Sequence, residues 1–464
     1  MPTAVFRCDA SPAIGGGHVM RCLALADELN HLGWRCAFAV SPETLATVPM
    51  LGRAGHTFGG PEEIPAGADW LIVDHYGIGV AEERAYRSRV AHIMVIADLA
   101  DRAHDCDVLL DQNPGRRAED YAGCVPTGCT VLTGAGYALL RAPFGAWRDT
   151  GRESKRDGFL LAFGATDPTD LTSIALDAVA TAKTRLPIGI LLGSKAEHRE
   201  RVEARAKSLG ARLYLDLVDP VPVLTTMRLA IGAAGVSALE RCAIGVPSLV
   251  VVAAENQRLA ATSIAKLGAA EVLSEPTADT MTARLCSLDA DRIEAMARAA
   301  STVCDGRGAR RTAMVLAPEA AGDGAAVRLR PATQDDAALM LGWQKAPETR
   351  RHAFTPAIPS EAEHCAWLER KLADPDCLLN VVLHGEREAG VLRLDRASGD
   401  RFEVSIYLAP GKHRLGIGRA ALALARRLVR DVALIARIKP ENRASLALFA
   451  SAGYVAQGDV YVVA

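Results

Sequence analysis

Short apolar runs alternate with helix-spaced stretches through the first three hundred residues, and this rhythm constrains the fold more than any other feature. The strand candidates are AVFRC, CAFAV, WLIVD, HIMVIAD and DVLLDQ, then GFLLAFG, IGILLG, RLYLD, LAIGAAG and PSLVVVAA. Helical stretches separate many of them. Strand–helix–strand repetition predicts α/β architecture: parallel sheets with helices on both faces. One sheet holding all of these strands would be too wide, so two such domains are expected, over residues 1–150 and 151–318. The polar segment WRDTGRESKRDG, Trp147–Gly158, marks the seam. A second seam, APEAAGDGAA (Ala317–Ala326), has linker composition. Beyond it, 326–464 reads strand, helix, helix, several strands, helix, strand, helix, which predicts an α+β domain.

Hydrophobic residues make up 50% of the 464 and charged residues 23%, an ordinary globular balance. The net charge is −2 and no long basic block occurs, so the footprint of a nucleic-acid binder is missing. Eleven cysteines are scattered singly, without a CxxC pair or zinc spacing, and read as reduced thiols. The N-terminus, MPTAVFRCDAS, lacks the basic and apolar regions of a signal peptide, and no apolar run reaches bilayer length. A cytoplasmic protein without membrane insertion is expected. Two acidic pairs could suggest a metal, DCD at Asp105–Asp107 and DAD at Asp289–Asp291. Both read as solvated surface, and no metal is expected.

The stretch SPAIGGGHVMRC, Ser11–Cys22, joins a strand to a helix. Gly16 and Gly17 allow a tight turn and close approach to a ligand. Amides at the helix start, with the helix dipole, suit an anion such as a diphosphate. The order GGGH fits neither GxGxxG nor a Walker loop. The same dipole disfavours a charged imidazolium at His18 and leaves the ring free to act as a base. The alternative is a plain strand–helix turn with a structural histidine.

RCDASPAIGGGHVMRCLALADEL resembles the opening of the hydrolases of the pseudaminic acid pathway. These remove UDP from UDP-2,4-diacetamido-2,4,6-trideoxy-β-L-altropyranose. The likeness continues in order through LIVDHY, IADLADRAHDCDVLLDQN, GAGYALLRAPF, LLAFGATDPTDLT and AAGVSALERCAIGVPSLVVVAAENQ. It implies a MurG-like GT-B pair of Rossmann-like domains with the active site in the cleft. His18 matches the histidine taken as general base. Asp74, Asp98, Asn113, Tyr137 and Arg141 lie in matched motifs and either line a sugar pocket or are structural.

In AAGVSALERCAIGVP, Gly235 and Ser237 open a helix and Glu240 follows three residues after the serine. Ser237 and Glu240 could form a capping box. The resemblance instead implies that Glu240 holds the ribose hydroxyls of UDP, for which a carboxylate is suited because it accepts two hydrogen bonds from a vicinal diol. Amides near Gly235 would face the diphosphate. Thr166, in the loop FGATD, would approach the nucleotide. Asn256 either lies near the sugar or caps the next helix.

VSIYLAPGKHRLGIGRAALALARRL resembles the acetyl-CoA loop of GNAT N-acetyltransferases, and KPENRASLALFASAGY resembles a later element of that family. The likeness implies an acetyl-CoA site comprising Leu408, His413, Arg414, Leu415, Gly416, Ile417, Gly418, Asn442 and Phe449. The amides from Arg414 to Gly418 would wrap the pyrophosphate, with Gly416 and Gly418 letting the backbone approach. His413 departs from the usual Arg or Gln. Phe449 stands where many members have the tyrosine that protonates the leaving thiolate, and Tyr454 is the aromatic after Gly453. Glu403 stands where members often keep a base for the amine.

The fusion implies a bifunctional enzyme of pseudaminic acid biosynthesis. One part would N-acetylate the 4-amino UDP-sugar, and the other would hydrolyse the product to UDP and free sugar with inversion. The rivals are a MurG-like glycosyltransferase fused to an acetyltransferase, and a non-catalytic nucleotide-sugar sensor.

Overall fold

A computed structural model describes the chain except Pro12, Ala13, residues 151–154, Arg185, Ser398, Gly399 and Ala464. Part of the expected seam at 147–158 therefore lies outside the described residues. The chain divides into two compact units, one of Met1–Gly145 with Glu153–Ala309, the other of Ala146–Arg152 with Arg310–Ala464.

The first unit holds two parallel sheets. The first contains β1 (Thr3–Cys8), β2 (Arg35–Ala39), β3 (Thr57–Gly59), β4 (Ala68–Asp74), β5 (Val90–Ile96), β6 (Val108–Asp111) and β7 (Thr130–Thr133). Their order is β3-β2-β1-β4-β5-β6-β7. The second contains β8 (Gly158–Ala162), β9 (Ile188–Leu192), β10 (Arg212–Leu215), β11 (Met227–Ala233), β12 (Ser248–Val251) and β13 (Ala270–Val272), in the order β10-β9-β8-β11-β12-β13. The central strands carry continuous apolar runs because helices cover both faces; Leu71, Ile72, Leu160 and Leu161 are fully buried. Each sheet reverses direction between its first and fourth strands. A reversal of this kind opens a crevice at the carboxyl ends of the strands. In the first sheet the crevice lies where β1 leads into the glycine loop and β4 ends in Asp74. In the second it lies where β8 leads into FGATD and β11 into AAG. The chain thus places its informative loops at two topological switch points.

The second unit carries one mixed sheet of β14 (Glu319–Ala320), β15 (Ala326–Pro331), β16 (Cys377–His384), β17 (Arg387–Arg396), β18 (Arg401–Leu408), β19 (Ala433–Ala436), β20 (Val455–Gln457) and β21 (Val460–Val463). The order is β14-β15-β16-β17-β18-β19-β21-β20, antiparallel except for β18 beside β19. The helix Ile417–Leu428 buries Ile417, Ala420, Ala421, Leu424, Ala425 and Leu428. This spacing makes one apolar face, which shares a core with Val327, Phe402 and Leu434.

Ala317–Ala326 differs from the linker its composition suggests. Strand β14 pairs with β15, and the Gly322 amide donates to the Leu415 carbonyl at 2.7 Å. The break between units lies upstream, at Ala309/Arg310. Charge pairing explains the shift. The Arg310 guanidinium, buried, donates to Asp149 Oδ2 at 2.7 Å, Asp431 Oδ2 at 2.5 Å and the Leu428 carbonyl at 2.9 Å. Arg396 Nη1 donates to the Asp149 carbonyl at 2.7 Å. Residues 146–150 are thereby held in the second unit although they precede Arg310 by more than 150 positions. All eleven cysteines are free. Among the described residues no helix is long and apolar enough to cross a membrane.

Candidate functional site

The Gly15 amide donates to the Ser11 carbonyl at 2.8 Å, and Gly15 has φ +80°, a backbone suited to glycine. Gly16 precedes the helix Gly17–His31; a Cβ there would meet Val48 Cγ2 at 3.0 Å, whereas one on Gly17 would meet open space. His18 and Arg21, three residues apart, share one face of this helix. Asp74 ends β4, and Asp98 follows β5. His18 Nδ1 and Asp74 Oδ1 are 2.6 Å apart. Arg21 donates to Asp74 through Nε (2.5 Å) and Nη2 (2.6 Å), and to Asp98 through Nη1 (2.6 Å) and Nη2 (3.1 Å). Tyr76 donates its hydroxyl to Asp98 Oδ2 at 2.8 Å and sets its ring edge-on to His18 at 4.9 Å. From beyond the second sheet, Asn256 Nδ2 donates to the Tyr76 hydroxyl at 2.8 Å.

Burial opposes ionisation of Asp74, but Arg21 and His18 outweigh it and hold the carboxyl well below the ordinary range. Burial likewise opposes ionisation of Asp98, and Arg21 again wins. An ionised Asp74 accepts a proton-bearing Nδ1, which leaves the His18 Nε2 lone pair free; Nε2 makes no hydrogen bond among the described residues. Asp74 and Asp98 are thus bonded to the chain itself and are not open pocket groups. Sequence reasoning missed Arg21 and Tyr76. The available signal was Arg21's place one helical turn after His18, beside strand-end carboxylates.

Asn113 and Tyr137 are turned into the interior. Asn113 Nδ2 donates to Asp111 Oδ1 at 2.8 Å and to the Asp98 carbonyl at 3.3 Å, and Tyr137 is buried. At the second switch point, Gly235 caps the helix Val236–Ile244, so Ser237 lies inside it and forms no capping box with Glu240. Ser237 Oγ instead accepts from Arg241 Nη1 at 3.3 Å. The partly buried Glu240 carboxylate has no hydrogen-bond partner among the described residues. Burial raises it to about 6, against the pull of Arg241 and Arg141. Arg141 donates to the Val218 carbonyl, and its buried Nε has no partner among the described residues. Thr166 is partly exposed; its neighbour Asp167 caps the next helix by accepting from the Leu171 and Thr172 amides at 3.0 and 2.9 Å. Asn256 caps no helix; its bond goes to Tyr76.

In the second unit, β18 pairs with β19 over three positions, from Arg401 opposite Ala433 to Glu403 opposite Ile435. Its continuation to Leu408 has an open edge on that side. The following loop has positive φ at Gly411, Arg414 (64°) and Gly416 (79°). For Arg414 this conformation costs roughly 1 kcal/mol, and such strain collects where a loop serves a ligand. His413 and Arg414 are exposed, and Leu415 is partly buried. The helix that follows begins at Ile417 and leaves its first-turn amides without intrahelical acceptors. Both glycines also lie close to other parts of the chain. A Cβ on Gly416 would lie 2.6 Å from the Gly322 nitrogen, and one on Gly418 would lie 3.0 Å from Leu448 Cδ2. Asn442 caps the helix Arg443–Ser451, its Oδ1 accepting from the Ser445 amide at 3.1 Å. Phe449 is a core residue, 4% exposed and edge-on to Tyr454 at 4.9 Å. Burial holds the Tyr454 hydroxyl well above its ordinary range. Glu403 Oε2 lies 3.2 Å from Arg437 Nη2.

Three of the four aspartates in the acidic pairs have partners in the chain. Arg87 binds Asp105 at 2.9 Å and Asp107 at 2.5 Å. Asp289 caps a helix by accepting from the Arg292 amide at 2.7 Å.

Residues 326–455 match the acetyltransferase (GNAT) domain family. The chain is 27% identical over 279 residues to the UDP-2,4-diacetamido-2,4,6-trideoxy-beta-L-altropyranose hydrolase of Campylobacter jejuni, a match spanning 57% of this chain and 96% of that one. It is 21% identical over 329 residues to an uncharacterized protein of Methanocaldococcus jannaschii, spanning 66% of this chain and 63% of that one. Among solved structures, MurG of Acinetobacter baumannii aligns over 68% of this chain and 99% of its own, with 15% identity and a TM-score of 0.48. The chain thus joins a segment similar to a UDP-sugar hydrolase to a C-terminal GNAT acetyltransferase domain.

Proposed function

We propose that the protein is a cytoplasmic, bifunctional nucleotide-sugar enzyme. Its first unit hydrolyses UDP-2,4-diacetamido-2,4,6-trideoxy-L-altrose to UDP and the free sugar with inversion. Its GNAT domain N-acetylates the 4-amino precursor of that substrate, using acetyl-CoA. The observation that carries the first half is the His18–Asp74 pair at 2.6 Å, set beside a glycine loop at a topological switch point. Asp74 holds the Nδ1 proton. Nε2 removes a proton from water as the oxygen attacks the anomeric carbon, and the bond to the UDP oxygen breaks on the opposite face. First-turn amides after Gly235 stabilise the departing diphosphate, and Glu240 accepts the ribose hydroxyls. Arg141 and Thr166 border the same nucleotide, and Asn256 and Tyr76 border the sugar.

The open edge of β18 and the basic, strained loop after it suit an extended arm ending in a diphosphate. Bound acetyl-CoA would supply the acetyl group there. Glu403, where β18 and β19 part, takes the amine proton. Phe449 can supply none to the leaving thiolate, which is therefore protonated by water.

The test is incubation with the UDP-4-amino sugar, with and without acetyl-CoA, followed by NMR. Acetylated UDP-sugar should form first, and UDP and free sugar should accumulate only with acetyl-CoA present. Equal UDP release without acetyl-CoA would refute the order of steps. Absence of both products would refute the assignment.

A further inference from the structure

Arg21 is nearly inaccessible, 3% exposed, yet ends in four hydrogen bonds to two carboxylates. Its Nη2 also lies 3.1 Å from His18 Nδ1. Orientation of His18 needs only Asp74. A second buried carboxylate, Asp98, and a buried guanidinium between the two exceed that need, and burying three charges is costly unless they balance.

The balance is informative. Two carboxylates and one guanidinium leave a single net negative charge beside the imidazole. The other groups around His18 do not alter it. Tyr76 donates to Asp98, and burial pushes its hydroxyl well above the ordinary range. Cys22 lies 3.7 Å from Asp74 and stays a thiol, since burial pushes it well up. His75 is biased neutral by burial and by Arg7, although Asp9 lies 3.4 Å away. Without Arg21, two uncompensated carboxylates would face the ring and hold it as imidazolium, which cannot take a proton from water.

We infer that Arg21 is a positioning residue that sets the charge around His18. By engaging Asp74 and Asp98 together, it leaves enough negative charge to stabilise the imidazolium formed during reaction and too little to form it beforehand. The inference rests on the reading of His18 as a base.

The test compares wild type, Arg21→Met, Asp98→Asn and the double variant. The His18 ring is titrated by NMR without substrate, and kcat/KM for UDP release is measured against pH. Arg21→Met should move both the titration and the acid limb up by roughly one to two pH units, so that activity lost at neutral pH returns at alkaline pH. Asp98→Asn should move both down, and the double variant should return toward wild type. If Arg21→Met does not fold, the downward shift in Asp98→Asn still decides. A purely structural Arg21 would lower activity equally at every pH, and an unmoved titration in Asp98→Asn overturns the inference. Wild type that titrates but releases no UDP would overturn the hydrolase reading instead.

Discussion

Replacing Glu240 with glutamine should make the protein more stable and a poorer binder of UDP. The carboxylate is partly buried, lacks a hydrogen-bond partner among the described residues, and is raised from the ordinary 4.5 to about 6. A rise of that size corresponds to about 2 kcal/mol. The sign follows from proton binding. Between the two values the folded chain holds a proton that the unfolded chain has released, so stability falls as pH rises through about 6. Glu240→Gln removes this penalty. It should gain up to about 2 kcal/mol at pH 8, and the gain should vanish below pH 4.5. Losing a charged acceptor for a diol should cost roughly 1.5–3 kcal/mol of UDP binding, about tenfold to a hundredfold in affinity. Wild-type affinity should weaken below about pH 6, while the variant's stays flat. Urea unfolding at pH 8 and pH 4.5 reads the first effect, and calorimetric titration with UDP across the same range reads the second. A variant that binds UDP as tightly as wild type would refute the ribose role, and one no more stable at pH 8 would refute the desolvation argument.

Asp74→Asn should cut UDP release by roughly a hundredfold to ten-thousandfold, because an amide donating to Nδ1 would select the tautomer with a protonated Nε2; UDP affinity should persist. UDP release should survive EDTA, since Asp105 and Asp107 are engaged by Arg87 and Asp289 caps a helix; loss restored by magnesium would contradict this. Gly416→Ala should destabilise the acetyltransferase unit by about 1–3 kcal/mol, since its Cβ meets the Gly322 backbone at 2.6 Å, whereas Gly418→Ala meets only the movable tip of Leu448. Melting curves of the two variants separate them. Arg310→Met should destabilise this unit by removing the buried cation shared by Asp149 and Asp431, read by urea unfolding, and a piece starting at Ala326, which lacks Arg310, should fold poorly for the same reason.

The alternation of apolar runs was enough to read two parallel sheets, because strands such as WLIVD are covered on both faces and carry no polar alternation. It could not place the unit boundary. Ala317–Ala326 has the composition of a linker, but the backbone of Gly322 bonds to Leu415, and backbone bonding leaves little trace in composition. His18 was legible from its place after three glycines. Asp74 and Asp98 were legible as strand-end polar residues, but their service to His18 through Arg21 was not, since it depends on side chains 53 and 77 positions apart. The capping box at Ser237–Glu240 had the right spacing and failed by register: the cap is Gly235, two residues before Ser237.

The pairing of Asp149 with Arg310 and Asp431 sets a schedule for synthesis. Asp149 leaves the ribosome 161 residues before Arg310 and 282 before Asp431. At about 5–20 residues per second, it waits roughly 15–60 s for the full set. Arg310 and Arg396 emerge within that interval, so the segment gains these partners in steps and the set closes only with Asp431. The acetyltransferase unit is therefore completed late, when its own end emerges, and is committed to a strand of chain made long before. Moving this unit to another protein by recombination would require two exchanges, one at each place where the chain enters it.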